Sequence, residues 1–306
     1  MIHIDGTLPE NIHYRWSKKN RPIARLSVGE ELRITIPDSS VGQVQQSWTK
    51  QDLKHIDTSK FDGASGPIWI EGAERGDALE VEILDVTPGS WGWSATDEYF
   101  GLFRRRFEDN LTFWDIADGY ARSRSSFLAG VKIPVATFLG VMGVAPDEGE
   151  FGMVPPQPFG GNMDNRLLVP GAKLYLPVMT EGALFSVADP HAAQGDGESG
   201  GTGLETTATA TFRFNLVKQM NMAYPRAIVH QFSRTYLLAM GIADDLYRAS
   251  QAAMDNMISE LGRRKFSGEE AYVLCSLAGD LRISEMVDEP NHVVSMLVPM
   301  DILNRV

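Results

Sequence analysis

The sequence holds a single cysteine, Cys275, in 306 residues. One thiol excludes an intramolecular disulfide and any zinc cluster built on cysteine. No run of about 18 apolar residues occurs, which excludes a spanning helix. The opening MIHIDGTLPENIHYRW has no basic region followed by an apolar stretch. No secretory signal is read there, and the expected location is the cytoplasm. Positive charge is scarce: 28 Lys and Arg stand against 40 Asp and Glu, a net charge of -12. That balance argues against nucleic-acid or anionic-membrane partners. No GxxxxGK[ST] loop and no HExxH pair is present, so phosphate-loop and zincin chemistry are set aside. What the sequence does have is 43% hydrophobic and 22% charged residues, the composition of a folded globular chain.

Glycine and proline punctuate short apolar runs through the first two thirds. Glu31–Ile36 and Leu79–Ile83 alternate with period two and read as half-buried strands. Pro67–Ile70, Lys173–Val178, Ala183–Val187 and Thr206–Leu216 are further strands. Turn signals such as Pro37-Asp38, Arg75-Gly76-Asp77 and Pro170-Gly171 separate them. No helical pattern intervenes, which argues for a sandwich or jelly-roll-like β architecture over a βαβ sheet. The last quarter changes period. Ile242, Leu246, Ala249, Ala253, Met257 and Leu261 fall on one helix face, with Gly262 as the stop. Ser267-Gly-Glu-Glu270 is a capping box that opens a second helix, closed by Gly279. Leu281–Val287 and His292–Val298 read as a closing strand pair. The expected fold is mainly β, a two-sheet sandwich with a C-terminal helical pair, α+β overall. It forms one unit over 1–306: β-rich from 24 to 220, helical from 242 to 279, closing strands from 281 to 298. Phe100–Arg124 is the least regular stretch; its Arg104-Arg105-Arg106 run reads as a solvated loop or subunit contact, with an anion groove as the alternative.

The richest chemistry lies in Asp189-Pro-His191-Ala-Ala-Gln194-Gly-Asp196-Gly-Glu198. A strand runs out into a loop that carries His, Asp, Gln and Glu together. Such groups can ligate a divalent ion or move protons; the plain alternative is a polar turn held by Asx-type bonds. The G-x-G-x-x-G match at 195–200 precedes a Thr-rich strand, not a helix, so no dinucleotide site is read. Gly160-Gly161-Asn162-Met163-Asp164 is a second polar cluster, able to bind an amide or a metal, or to be a simple turn. Asp38 sits in a strand-end turn. Glu71 ends an apolar strand, where burial would raise its pKa. Cys275 falls on the apolar face of the second helix and reads as a structural thiol.

Taken together, GPIWIEGAERGDALEVEILDV (66–86), FLGVMGVAP (138–146), GGNMDNRLLVPGAKLYLPV (160–178), EGALFSVADPHAAQGDGE (181–198) and EEAYVLCSLAGDLRISEMVD (269–288) resemble the acetamidase/formamidase family. The resemblance runs in order from about residue 24 to the C-terminus. It implies a β-rich two-sheet fold and hydrolysis of a small linear carboxamide, formamide or acetamide, to the acid and ammonia. It also implies a divalent metal, zinc or calcium, and a homo-oligomer, a dimer. Family site positions fall on Asp38, Glu71, Asp164, Asp189, His191 and Glu198. Val135-Ala136-Thr137 and Ser199-Gly200-Gly201 depart from the family pattern and place the substrate pocket in question. On this reading Asp38, His191 and either Asp189 or Asp164 hold the metal, Asp164 being otherwise a catalytic acid. Glu71 or Glu198 moves the proton, and Asn162 with Gln194 orients the amide. The alternatives are a cyclic or urea-like amide as substrate, or a non-catalytic sandwich that binds a metal or small ligand in the same loop.

Overall fold

The computed structural model describes residues 1–303; the last three positions of the expected unit, 304–306, lie outside the described residues. The period-two segments become strands for the reason their pattern gives. In Glu31–Ile36, Leu32, Ile34 and Ile36 are buried while their neighbours face outward. Leu79–Ile83 is part of one long strand, Ala78–Thr96. It pairs antiparallel with Glu205–Val217 along nearly its whole length, from Ala78 opposite Val217 to Trp93 opposite Glu205. Bulges interrupt that ladder between Thr206 and Ala208 and between Thr211 and Phe212, bending the strands where the alternation breaks. Lys173–Pro177 pairs with the start of the same long strand.

The expected two sheets are joined by shared strands into one continuous hydrogen-bonded system, mostly antiparallel. Among the described residues two strand pairs are parallel: Ile2–Asp5 with Glu31–Ile36, and Ala24–Leu26 with Ala64–Ile70. At the centre Phe138–Gly143 lies between Phe185–His191 and Gly160–Asn162. Phe138–Gly143 and Phe185–His191 are buried at every position, so neither shows alternation in the sequence. Phe185, Phe212 and Phe214 pack edge-on or tilted at 5.2–6.2 Å and anchor the main core.

The helical pair is α1 (Leu246–Arg263) and α2 (Gly268–Ala278). Helix α1 starts later than its periodicity suggests. Asp245 caps it by accepting from the backbone N–H of Tyr247 and Arg248, and Ile242 belongs to the preceding strand, Arg234–Ala243. The helix also runs one residue past Gly262. Ser267 and Glu270 form the expected capping box of α2. Both helices cover the strands Arg234–Ala243 and His292–Pro299 through a second core that includes Ala249, Ala253, Met257, Val294 and Cys275. The irregular stretch is corrected as well: Asn110–Ala117 and Tyr120–Ser123 form a hairpin. Arg104 pairs with Glu289 at 3.0 Å, and Arg105 and Arg106 lie over Tyr99, Phe103 and Phe107, so the Arg run forms no open groove of cations. No helix among the described residues is long and apolar enough to cross a membrane.

Candidate active site

The strand Phe185–His191 extends through Asp189-Pro190-His191, so the richest part of the expected loop is strand. Its end, the Gly160–Asn162 edge and the start of Glu205–Val217 converge on a cavity of about 290 Å³. Asp189, His191, Glu198, Glu205, Asn162 and Asp288 face it, and Trp93, Phe61 and Phe100 supply apolar wall. Every one of these polar groups is at least nine-tenths buried.

His191 is the hub. Its Nδ1 is 2.7 Å from Gln194 Oε1, an acceptor, which places the ring proton on Nδ1. Gln194 is itself held because its Nε2 donates to the carbonyl of Asp164 at 2.9 Å. The other ring nitrogen, Nε2, lies 3.0 Å from Asp189 Oδ1, 3.0 Å from Glu205 Oε1 and 3.8 Å from Glu198 Oε1. Ser39 Oγ donates to the second Glu205 oxygen at 2.7 Å and fixes that carboxylate. Asp164 Oδ1 is 3.5 Å from His191 Nδ1.

This geometry calls for a cation. Nε2 and two carboxylate oxygens are all acceptors when the ring is neutral, and only a proton or a metal can bridge them. Both oxygens of Asp164 and Asp189 Oδ1 are buried without a hydrogen-bond partner among the described residues, a costly state for anions left alone. Two sets sharing His191, Asp164 with Glu198 and Asp189 with Glu205, have ligand atoms within 4.8 Å of one another and could hold a metal. Burial pushes the Asp164 carboxyl up to about 7 and, against the pull of His191, that of Asp189 to about 6. Glu198 and Asp62 are raised well above the carboxylate range by burial first and neighbouring carboxylates second. Burial opposes charge on His191, yet Asp189 and Glu205 overcome it and raise its pKa well above the ordinary value. The backbone is strained here: Asp164, Asp189 and Glu198 all have positive φ, at 43°, 56° and 45°. Gly140 faces the cluster bare; a Cβ there would collide with the Asp164 and Asp189 carboxylates.

The structure brings together Asp164, Asp189, His191, Glu198, Asn162 and Gln194 and leaves out two expected residues. Glu71 is corrected: its side chain is 50% exposed and pairs with Arg25 at 3.3 Å on the surface. It ends its strand outward, in the turn Glu71-Gly72. Asp38 is also corrected as a ligand. It is buried, but it neither lines the cavity nor joins either ligand set, and its oxygens accept from Ser40 Oγ, Gly42 N–H and Trp93 Nε1. It positions Trp93, a wall of the cavity. Gln194 has both amide ends engaged and steadies His191 where a substrate contact was expected. Asp62, Glu205, Glu285 and Asp288 were missed. Alternation from Thr207, Thr209 and Arg213 would turn Glu205 outward; a bulge between Thr206 and Ala208 breaks that period and Glu205 is buried, so the sequence carried no signal for it, and Asp62 lies in a turn that carries none either. Cys275 is buried in the second core, and burial lifts its thiol to about 11, out of nucleophile range.

The acetamidase/formamidase family profile matches residues 5–152 and 150–305. Formamidase of Methylophilus methylotrophus is 26% identical over 95% of this chain and 89% of its own length. Acetamidase of Mycolicibacterium smegmatis is 25% identical over 86% of this chain and 84% of its own. The crystal structure of an acetamidase from Bacillus halodurans superposes with a TM-score of 0.90 at 31% identity, covering 98% of each chain. With its profile spanning nearly the whole sequence and its fold shared with that acetamidase, the chain belongs to the acetamidase/formamidase family and is an amidase.

Proposed function

We propose that this protein hydrolyses formamide or acetamide to the carboxylic acid and ammonia with the help of a divalent metal, as a cytoplasmic homodimer. The observation that carries the reading is the convergence of His191 Nε2, Asp189 and Glu205 at 3.0 Å in a small, buried cavity. Amide hydrolysis needs an activated water, a polarised carbonyl and a proton for the departing nitrogen. Asp189, His191 and Glu205 are the set that would hold the metal. One imidazole with two carboxylates suits zinc better than calcium, whose sites are built of oxygen. When bound, such an ion supplies a Lewis acid and lowers the pKa of water. The chain supplies the rest. Gln194 holds the His191 ring so that Nε2 faces the carboxylates. Glu198, whose pKa burial and the neighbouring Asp164 raise well above the carboxylate range, faces the cavity and is the group that would give a proton to the leaving nitrogen. It also lines a neighbouring hollow of about 450 Å³. Trp93, Phe61 and Phe100 line the cavity with apolar surface, and its volume of about 290 Å³ takes a short acyl group. Exposed Tyr99, Phe103, Phe107 and Phe127 offer apolar surface for a second copy.

The test is ammonia release by the purified protein from formamide, acetamide and propionamide, before and after chelation and with zinc or calcium returned. Turnover of the two smaller amides, lost on chelation and restored by zinc, is expected. Release from none of the three defeats the substrate assignment, and release indifferent to chelation defeats the metal.

A further inference from the structure

A second run of buried polar groups, Asn162, Asp288 and Glu285, reaches the same cavity from the C-terminal part of the chain. Asn162 Nδ2 donates to Asp288 Oδ2 at 2.8 Å, with both residues buried. Asn162 Oδ1 is buried and has no partner among the described residues. Both residues line the cavity beside His191 and Glu198. A side-chain amide can be turned either way, and its neighbours decide which end faces where. Asp288 Oδ2 accepts from Asn162 Nδ2, which draws the NH2 end toward Asp288 and turns the carbonyl oxygen away.

Asp288 is itself held from outside the cavity. Glu285 ends the strand Asp280–Glu285 with its side chain fully buried, and its Oε1 accepts the backbone N–H of Val287 and, at 2.6 Å, of Asp288. The next residue, Glu289, pairs with Arg104 at 3.0 Å. Asn291 Nδ2 then donates to the carbonyl of Pro156 at 2.9 Å. The turn 285–291 is thus pinned at three points. Asp288 is its one side chain, among the described residues, that lines the cavity.

We propose that Asn162 Oδ1 accepts a hydrogen bond from the N–H of the substrate amide, and that Asp288 is the positioning residue that keeps it turned for this. The proposal rests on the amide-hydrolysis reading and deepens it. It makes the site selective for carboxamides that carry N–H over esters of the same acyl group. A buried acceptor without a donor carries a cost that a bound N–H removes. An ester has no N–H and leaves that cost in place, and a site built for a polar group rejects the analogue lacking it. Asn162 neither gives nor takes a proton. Water adds to the carbonyl, the C–N bond breaks, and the nitrogen leaves as ammonia still able to donate to the same oxygen.

The test compares acetamide with methyl acetate in the wild type, Asn162→Ala, Asp288→Asn and the double variant. The ester is followed as a substrate or, where it is not turned over, as a competitive inhibitor. Each single variant is expected to lower the preference for amide over ester by about tenfold to a hundredfold, the worth of one buried hydrogen bond. The double variant is expected to be no worse than Asn162→Ala alone, because Asp288 acts through Asn162. Bound metal in Asp288→Asn is expected to match the wild type. Equal losses on amide and ester, additive losses in the double variant, or loss of metal from Asn162→Ala would each overturn the proposal. If Asp288→Asn fails to fold, Asn162→Ala decides the matter through the amide-to-ester ratio. A wild type that releases no ammonia refutes the underlying amidase reading instead, and is seen before any variant is compared.

Discussion

Glu71 and Asp164 are both acids just past the ends of strands, and their surroundings give them opposite fates. Glu71 shares water with Arg25, an exposed pair worth about 0–1 kcal/mol. Asp164 is fully buried, with both oxygens unpartnered and a pKa raised to about 7 by burial and by Asp189. Glu71→Gln is therefore expected to keep amide turnover within about twofold and to leave the thermal midpoint nearly in place. Asp164→Asn is expected to cut kcat/KM by about a hundredfold or more. It should also raise the midpoint of the metal-free protein at pH 8, because it removes one like charge from a buried cluster. Ammonia assays and thermal unfolding of the two variants check this; an inactive Glu71→Gln would return that residue to the site. Much of this centre was legible because the Asp189–Glu198 segment concentrates its chemistry in ten consecutive positions. Glu205 and Asp288 were not, since each is a lone acid whose meaning depends on strand pairing that brings distant segments together.

At the scale of elements, alternation revealed strands with one wet face and concealed those with none. Glu31–Ile36 was legible from Leu32, Ile34 and Ile36. Phe138–Gly143 has no period because both its faces are buried. The hairpin of Asn110–Ala117 and Tyr120–Ser123 was hidden by polar and charged residues suited to an outer strand. Helix α1 was misjudged at its start because Ile242 and Leu246 are four apart, a spacing that a strand end followed by a helix start can mimic. Asp245 was the better signal. The same region carries a sharp packing constraint. Gly241, in the strand under α1, faces the helix backbone at Ala249 and Ala253, where a Cβ would collide with main-chain atoms that cannot rotate away. Gly241→Ala is expected to push α1 outward and destabilise the protein by about 1–3 kcal/mol. Turnover per folded molecule should persist at low temperature, because no residue of α1 lines the cavity. A midpoint equal to that of the wild type in calorimetry would refute this account of helix docking.

For the whole molecule, the decisive feature is where the acidity sits. A net charge of -12 is ordinary on a surface, but Asp62, Asp164, Asp189, Glu198, Glu205, Glu285 and Asp288 are buried, with His191 the cationic group among them. Burial raises Asp189 to about 6, Asp164 to about 7 and Glu285 to about 8, and lifts Asp62, Glu198 and Asp288 well above the usual range. In an unfolded chain the same groups titrate near pH ~4. Between those limits the folded, metal-free protein binds more protons than the unfolded chain, so its stability falls as pH rises. His191 has the same sign, since its raised pKa adds stability that is present below about 6.5 and lost as pH climbs through the folded value. The surface acids Asp52, Asp57 and Asp301 have lowered pKa values and lose their contribution only toward pH ~4, outside this window. A cation on Asp189, His191 and Glu205 replaces protons with charge that does not titrate, and it binds more tightly once those ligands are deprotonated. The chelator-treated protein is therefore expected to show its highest midpoint near the acid end of the range and a steady fall from pH 6 to pH 8. The zinc-loaded protein should show a flatter profile, with a stabilising shift that grows with pH. Midpoints measured by calorimetry on both forms decide it; a metal-free profile that is flat or rising between pH 6 and 8 would mean that the buried carboxyls do not hold the protons assigned to them.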